Sequence, residues 1–451
     1  MKRLSKLFFI VFVACACSTI AKATDLPNFY RSTFIQGIPK KDVDDWNTFF
    51  DARYSAGSTK KGFDGQQNST DILNIYGLVN FNRMGYNIGL SQETLANTPT
   101  PTTYTWLREG GNIPNYGFTG NNGKIELHGK AKIREFDFEW QQNIVNGFFA
   151  KVYVPIRTVK INDISYTDQT MSTTTNYSDF QTFLDTYFAD VLTENDYLPL
   201  TTVFDKTYIS DISVSVGWQA YAKNALYLLG DLYGYALLSV IIPTAPKQPL
   251  NRVVSLPLGY DNHIGFNTEF SINVRPKQWI SLGFHAEFMA FISQQKQKRL
   301  VTDTSQSGLI ILEKGQVKED PGSLWGVGIN LEVTPLVKGL FLRAGYSFTR
   351  RESTNLTVKD DNYLSALIAA EIAADTIYKT STAVMANSDN RLKAWNQHVA
   401  HFQLGFDARE QTNSLLAPKF VFSYDWQFLG RNTWKANMLG GTLGLSINWD
   451  F

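Results

Sequence analysis

Ionisable side chains recur at every second position of long alternating segments, and their types and spacing mark the face that could do chemistry. Acids occupy this parity in the middle of the chain, and bases occupy it before and after them. The acids are Asp211, Asp231, Glu269, Glu287 and Glu332, and the bases are Arg53, Lys130, Lys132, Arg134, Lys151, Arg157, Arg343, Arg351, Arg409 and Lys419. Across a water-filled space, an acidic wall and a mixed basic wall would orient polar solutes. The same charges could instead pair with one another and fill that space, and both interpretations stay open.

Histidines give weaker signals for catalysis or metal binding. His398 and His401 are three residues apart, so on one strand they point to opposite faces and cannot share a metal ion. His285 and Glu287 share the inward parity, which favours a polar cluster in the interior. A Ser-His-Asp arrangement needs a serine beside the histidine, and His398, the outward histidine in our register, has no such neighbour. We therefore predict no catalytic residues, no metal and no cofactor.

The elements that position these residues are β-strands, because period-two alternation dominates the chain and helical periodicity is scarce. Each alternating segment carries apolar residues on one parity, and several adjacent segments are joined by short turns, such as Lys223-Asn224. The predicted strands are Trp46–Ala56, Ile125–Trp140, Phe148–Thr158, Tyr208–Tyr221, Ala225–Thr244, His263–Val274, 280–292, Trp325–Val333, Leu340–Phe348, 402–406, 420–426 and Leu443–Phe451. The count is twelve strands.

The connections between these strands alternate in length, which decides the fold class. Five are short, and the others are mostly long, with loops at 58–123, 168–206, 297–322 and 352–394. Short turns at one end and long loops at the other are typical of an outer-membrane barrel with periplasmic turns and extracellular loops. We predict an all-β fold, a transmembrane antiparallel β-barrel that spans residues 46–451.

One predicted strand changes parity along its length. In 125–140 the apolar set is odd at Ile125 and Leu127 but even at Phe136 and Phe138. One extra residue would restore the facing, so we predict a β-bulge near Arg134-Glu135. With this switch allowed, the apolar parity carries no charged residue in any of the twelve strands, as a lipid-facing surface requires.

The two ends of the chain carry targeting signals. Lys2, Arg3 and Lys6 precede an uncharged run, and Ala21-Lys22-Ala23 matches a signal-peptidase site. We predict a cleaved signal peptide at 1–23, then a periplasmic leader or plug segment at 24–45. Both cysteines, Cys15 and Cys17, lie in the signal segment, so the exported chain forms no disulfide.

The C-terminal segment is the most specific signal. Gly441, Leu443, Leu445, Ile447, Trp449 and Phe451 alternate with small or polar residues and end on phenylalanine. This pattern resembles the C-terminal β-signal of porin-like outer-membrane proteins of Gram-negative bacteria. The resemblance implies export through the secretion machinery, recognition by the barrel-assembly machinery, and a cell outer membrane of lipid and lipopolysaccharide.

The function that these observations favour is passive diffusion of small hydrophilic solutes through a porin-like channel. Asp211, Asp231, Glu269, Glu287, Glu332, Lys151, Arg157, Arg343, Arg351 and Arg409 are the predicted pore-lining residues. A net charge of +1 gives no reason to expect nucleic acid as a partner. A structural or adhesive barrel with a plugged lumen is the first alternative, and a barrel phospholipase or protease is the second.

Overall fold

Twelve antiparallel strands close into one β-barrel in the computed structural model, which confirms the predicted fold class and strand number. The strands are β1 (Asn47–Thr59), β2 (Lys124–Asn143), β3 (Phe148–Asp168), β4 (Ile212–Leu226), β5 (Gly230–Ile242), β6 (Gly265–Lys277), β7 (Ile280–Phe291), β8 (Leu324–Val333), β9 (Leu340–Arg351), β10 (Trp395–Asp407), β11 (Leu416–Arg431) and β12 (Met438–Asn448). The structure describes residues 46–80, 123–169, 181, 184–185, 188–194, 196–226, 230–257, 259–301, 306–311, 314–334, 337, 339–359, 383–408 and 416–449.

The barrel closes where the first strand meets the last. Asn47 of β1 lies opposite Asn448 of β12, and the pairing continues to Gly57 opposite Met438. Every other strand pairs with its sequence neighbours. Because the ring has no open edge, backbone hydrogen bonds are satisfied without water, which is the condition for spanning hydrocarbon.

The outer surface of the barrel carries a belt of exposed apolar side chains. Phe422, Leu443 and Phe136 are 57%, 62% and 41% exposed, although side chains of this type are normally buried in soluble proteins. Aromatic residues such as Trp46, Trp279 and Trp449 are exposed at the end that carries the short turns. An apolar band with aromatic side chains at its edge suits a bilayer. This is the architecture of an outer-membrane β-barrel protein.

Short elements from the long loops pack at the opposite end. Two small sheets form there, and Phe204–Ile209 and Val79–Asn80 extend the barrel wall beside β3 and β2. The small sheets consist of Lys61–Phe63, Ser69–Asp71 and Thr433–Trp434, and of Gln294–Arg299, Lys314–Asp320 and Asn355–Val358. The helices whose bounds the structure describes are Phe188–Glu194, Ala383–Ala386 and a 3-10 turn at Asn390–Leu392. None of the helices described is long and apolar enough to cross a membrane.

The parity switch in β2 has a different cause from the one predicted. The pairing of β2 with β1 runs without a shift through Arg134 and Glu135, and the irregularity in its pairing with β3 lies between His128 and Lys130. The predicted bulge is therefore wrong. Odd residues face inward along the strand, so Lys130, Lys132 and Arg134 lie on the outer surface, and their predicted inward placement is wrong as well.

The switch reflects a change of surroundings on both faces of β2. From Arg134 towards the short-turn end, the outward residues belong to the apolar belt. From Arg134 towards the long-loop end, the inward residues Ile125 and Leu127 pack on loop residues. Ile72, Leu73 and Ile75 of the first long loop are buried against them. The Asn74 side chain donates to the Leu127 carbonyl at 2.7 Å and accepts from its amide at 3.0 Å. This loop continues the wall beyond Thr59, where β1 ends opposite Ala131.

One turn differs from the sequence interpretation, and several predictions lie outside the described residues. β4 continues past Lys223-Asn224 to Leu226, which lies opposite Gly230 of β5, and Asn224 takes a φ of +48° in an irregular stretch. Its amide donates to Asp231 at 2.9 Å, which holds this irregularity in place. The signal segment 1–23, the leader 24–45, Arg409 and Phe451 are outside the range that the structure describes.

Candidate functional site: the barrel interior and its extracellular cavity

Two ion pairs join β1 to β11 across the inner face of β12, at the seam of the barrel. Lys419 contacts Asp51 at 2.7 Å, and Arg53 contacts Asp425 at 2.9 Å. Both pairs pass over β12 because its inward residues are small. Gly444 lies opposite both Lys419 and Asp51 in the strand register, and a Cβ atom there would overlap the Asp51 carboxylate. A glycine is therefore required where the charged pair crosses the last strand.

Three further ion pairs line the rest of the wall and involve predicted pore residues. Lys151 contacts Glu139 at 2.9 Å, and Arg157 lies 3.7 Å from Glu135. Arg343 of β9 binds Glu332 of β8 and also donates to the Gln403 side chain at 2.9 Å. The pairs join neighbouring strands, so these six charges are neutralised locally.

The predicted acids occupy different depths of the barrel. Glu269 and Glu287 lie opposite each other in adjacent strands, and Tyr235 donates to Glu269 at 3.4 Å. Asp231 lies at the short-turn end, where it accepts from Tyr221 at 2.9 Å. Asp211 lies at the other end and accepts the amides of Ala245 and Tyr260, at 3.0 and 2.5 Å. Asp211 therefore anchors the loop before β6, in addition to facing the interior.

The interior side chains are packed closely in the described strands. Arg351 is buried and its guanidinium lies 5.3 Å from the Phe291 ring. Glu332, Arg343, Glu287 and Lys419 are also buried, with at most 8% of their surface exposed. Of the two interpretations left open by the sequence, a network of paired charges describes the interior of this structure.

Sequence reasoning missed a chain of hydrogen bonds that has the composition of a catalytic triad. Ser347 Oγ lies 2.8 Å from His401 Nε2, and His401 Nδ1 lies 2.8 Å from Asp425 Oδ1. The three residues come from β9, β10 and β11, and all face inward. Their shared parity was readable from the sequence, but the offset between the strands was not.

The surroundings of this chain argue against a nucleophilic serine. Ser347 is 2% exposed, and Asp425 is shared with Arg53. The backbone of Ser347 is paired to Gly328 on one side and Val399 on the other, so the sheet already uses the neighbouring amides that an oxyanion hole requires. We interpret these hydrogen bonds as a structural link between β9, β10 and β11, which continues through Asp425 to Arg53 of β1.

The other histidines lie apart from this chain. His398 is on the outer face, with Tyr346 at 2.7 Å and the Phe348 ring 4.8 Å away, and no serine is among its contacts in the described residues. His285 is buried on the inner face of β7, and His263 lies 3.6 Å from Glu319 in the loops. Among the described residues, no group of three or more histidine, cysteine or acidic side chains is arranged to hold a metal ion.

A cavity of about 270 Å³ opens among the loops above β6 and β7. Six cationic residues line it, namely Lys247, Arg252, Lys296, Lys298, Arg299 and Arg391. The Arg299 guanidinium lies 3.9 Å from the centre of the Tyr197 ring, whose hydroxyl donates to the Ile311 carbonyl at 2.6 Å. Asp261 and Asn262 form one side of the cavity in the left-handed conformation, at φ of +51° and +67°. The lining combines positive charge with hydrogen-bonding groups, which suits a small polar solute.

Glu319 forms ion pairs with two of the lysines that line the cavity. Its carboxylate contacts Lys296 at 2.5 Å and Lys298 at 3.1 Å. Burial alone would raise the pKa of Glu319, but Lys298, then His263 and Lys296, outweigh it and hold the pKa well below the usual value of 4.5. A carboxyl whose folded pKa is depressed stabilises the fold above its unfolded pKa and loses that contribution as the pH falls through the folded value.

Replacing Glu319 with glutamine is therefore expected to loosen the loop sheet at neutral pH. Lys296 and Lys298 would keep their charges without the buried carboxylate, at a cost of about 3 kcal/mol. Hydrogen–deuterium exchange of 294–299 and 314–320 should rise in E319Q at pH 7, whereas the wild-type sheet should stay protected down to pH 4.5. Glu352→Gln, at a more exposed pair with Arg350, is the control and should change little. Equal exchange in E319Q and wild type would refute the assignment.

Comparisons with known proteins give no close relative. No family model matches, and no curated protein matches. Among solved structures, the chain is similar to an outer-membrane channel from Pseudomonas putida F1, at 6% identity over 90% of this chain and 98% of that one, with a TM-score of 0.47. It is also similar to a deletion mutant of the TodX monoaromatic hydrocarbon channel, at 8% identity over 95% and 97%, with a TM-score of 0.38. It is similar to the NanC porin at 7% identity over 72% of this chain and 98% of that one, with a TM-score of 0.29. At these values none of the three identifies a relative.

Proposed function

We propose that this chain is an outer-membrane channel for passive diffusion of small hydrophilic solutes. The supporting observation is the contrast between the two faces of the wall: ionisable and amide side chains line the inside, whereas the belt outside is apolar. A polar lining stabilises water and polar solutes within the barrel. Solutes would enter past the cavity of about 270 Å³ beside the start of β6, where the bases and amides offer a first binding site.

The packed interior means that the structure corresponds to a closed channel under this proposal. The pairs Arg343–Glu332 and Lys151–Glu139 occupy space that a solute needs, so conduction requires them to separate or to move against the wall. The same packing favours the second candidate, a structural barrel that acts through its extracellular loops. Small barrels can be filled by side chains without any transport role.

Single-channel recording in planar lipid bilayers separates the two candidates. The full chain, refolded in detergent and inserted, is expected to show discrete conductance steps in potassium chloride. Folded protein that passes no current at any voltage would sink the channel proposal and leave the structural barrel. Swelling of liposomes in arabinose then tests passage of an uncharged hydrophilic solute.

Charge reversal at Arg343 and Arg351 tests whether these residues line the path. In the double variant R343E/R351E, the permeability ratio of cations to anions is expected to rise on the order of twofold, because two fixed positive charges become negative. The reversal potential in a salt gradient measures this ratio. Lys318→Glu with Lys359→Glu makes the same charge change on exposed loop residues and should leave the ratio unaltered. An unchanged potential in the first variant would remove both arginines from the path.

We also propose that the chain is not an enzyme, despite Ser347, His401 and Asp425. A fluorescent fluorophosphonate labels activated serines, and we expect no labelling of the folded protein because Ser347 is buried. Denatured protein gives the background signal. Labelling that disappears in Ser347→Ala but persists in Ser423→Ala, another buried interior serine, would reverse this conclusion and support the hydrolase alternative.

A further inference from the structure

A stripe of basic side chains lies on the outer surface of β2, directly beyond the apolar belt. Lys130, Lys132 and Arg134 are successive outward residues on the same face as Phe136 and Phe138. Alternate residues of a strand are about 6.8 Å apart along its axis, so the stripe is about 14 Å long. Lys132 and Arg134 are exposed, and Lys130 is half-buried. We call this set the basic stripe.

The edge of the belt at this place can be located from the strand register. Tyr54, Phe136 and Ile156 form one outward row across β1, β2 and β3. The next outward row consists of Ala56, Arg134 and Thr158, and the row beyond it consists of Ser58, Lys132 and Lys160. Apolar side chains thus give way within one row to small, hydroxyl and basic side chains. The headgroup layer of a bilayer that covers the belt would begin at Arg134.

In the part of the chain that the structure describes, the acid in the same row as the basic stripe, Asp205, pairs with Lys160 and not with the stripe. Within the residues that the structure describes, Lys130, Lys132 and Arg134 make no ion pair or hydrogen bond. Lys132 lies directly opposite Lys160 in the register, and the Lys160 ammonium contacts Asp205 at 2.9 Å. Like charges opposite each other in a sheet are destabilising, so an anion at this place would relieve the repulsion. Ala56 and Ser58 on β1 leave one side of the stripe open.

We propose that the basic stripe binds the phosphate groups of a lipid A-type glycolipid in the outer leaflet. The inference rests on the outer-membrane placement proposed above. A glycolipid whose acyl chains lie against Tyr54, Phe136 and Ile156 would present its phosphates at the level of Arg134 and Lys132. Arginine and lysine form charge-assisted hydrogen bonds with phosphate oxygens, and the arginine fork can bind two oxygens at once. Continuity between the belt and the stripe favours a lipid over a soluble anion.

The test is a titration of the purified full chain with lipid A, followed by native mass spectrometry in detergent. The variant K130Q/K132Q/R134Q is expected to bind lipid A about 100-fold more weakly than wild type, since each interfacial base contributes on the order of fivefold. The control K318Q/K359Q/K393Q removes the same charge from exposed lysines of the loops and should bind as wild type does. Lipid A stripped of its phosphates should bind both forms equally weakly.

Two results would overturn the proposal. One is equal binding of lipid A by wild type and by the stripe variant. The other is displacement of bound lipid A by millimolar inorganic pyrophosphate, because this would assign the stripe to soluble polyanions. Folding of the stripe variant is checked by its heat-dependent mobility in gel electrophoresis. Its conductance should match that of wild type, so a failure of lipid binding is distinguishable from a failure of the channel proposal.

Discussion

Replacing Gly444 with valine is expected to prevent assembly of the barrel. The new side chain would stand between Lys419 and Asp51 on the inner face of β12, where even a Cβ atom would overlap the carboxylate. Separating a buried ion pair costs about 3–5 kcal/mol, and overpacking adds about 1–3 kcal/mol. The sum is comparable to the whole stability of a typical domain, about 5–15 kcal/mol. The backbone of β12 cannot move away, because it is paired on both sides.

Heat-dependent mobility in gel electrophoresis and exposure at the cell surface measure assembly. Thr442→Val is the matched control, since it places the same side chain two residues earlier on the same face, where a residue of this size is present already. The triple variant G444V/D51A/K419A removes both charged partners and should recover assembly. If G444V assembles as well as T442V does, the seam does not depend on the crossing pair.

Replacing Asp425 with leucine is expected to lower the free energy of unfolding by about 4 kcal/mol. Asp425 accepts from Arg53 and from His401, so its loss leaves a buried guanidinium without its carboxylate and an imidazole without one partner. The loss of stability stays moderate because Asp137 lies opposite Arg53 in the register and partly neutralises its charge. Urea unfolding in phospholipid vesicles, followed by tryptophan fluorescence, measures the change.

Two variants make this result interpretable. Arg53→Met combined with D425L removes the charge that was left behind, and should restore stability to within about 1 kcal/mol of wild type. Asp205→Leu removes the acid of the exposed pair with Lys160, and should cost at most about 1 kcal/mol. A loss in D425L no larger than that in D205L would mean that the interior network contributes little to stability.

The strands were predictable because the medium on each side of the wall imposes its own chemistry. In β11, Phe420, Phe422 and Tyr424 face outward, while Lys419 and Asp425 face inward. Lipid excludes charge from one parity, and the barrel interior accepts it on the other. The alternation therefore predicts the strand, the direction in which its side chains face and the barrel fold. No contact between strands has to be known for this prediction.

Periodicity could not show where the medium changes. In β2 the same pattern arises from a bulge or from the edge of the membrane, and only the burial of Leu127 under Ile72 and Leu73 distinguishes the two. Those residues lie in a loop, and the alternation of their segment does not indicate that it packs against the inner face of β2. The link between Ser347, His401 and Asp425 was hidden for another reason, because the offset between strands depends on turns and irregularities such as the shift at His398. The cavity is lined by irregular loops and by the strand Gln294–Arg299, whose residues are all polar, so apolar alternation did not indicate it.

In the described part of the first long loop, the turn at 64–68 is exposed, whereas the segment that follows it is buried. Ile72, Leu73 and Ile75 are buried against the wall, but Gln66 and Asn68 are exposed on a turn closed by the Asp64 side chain, which accepts both amides at 2.8 Å. We expect a short insertion at this turn to leave the fold intact, since the turn is exposed and closed by its own hydrogen bonds. The same insertion at Asn74 would break the hydrogen bonds between this loop and Leu127, and the loop would no longer extend the barrel wall beyond Thr59. One short stretch of chain thus combines a place that tolerates insertion with an anchor that the barrel needs.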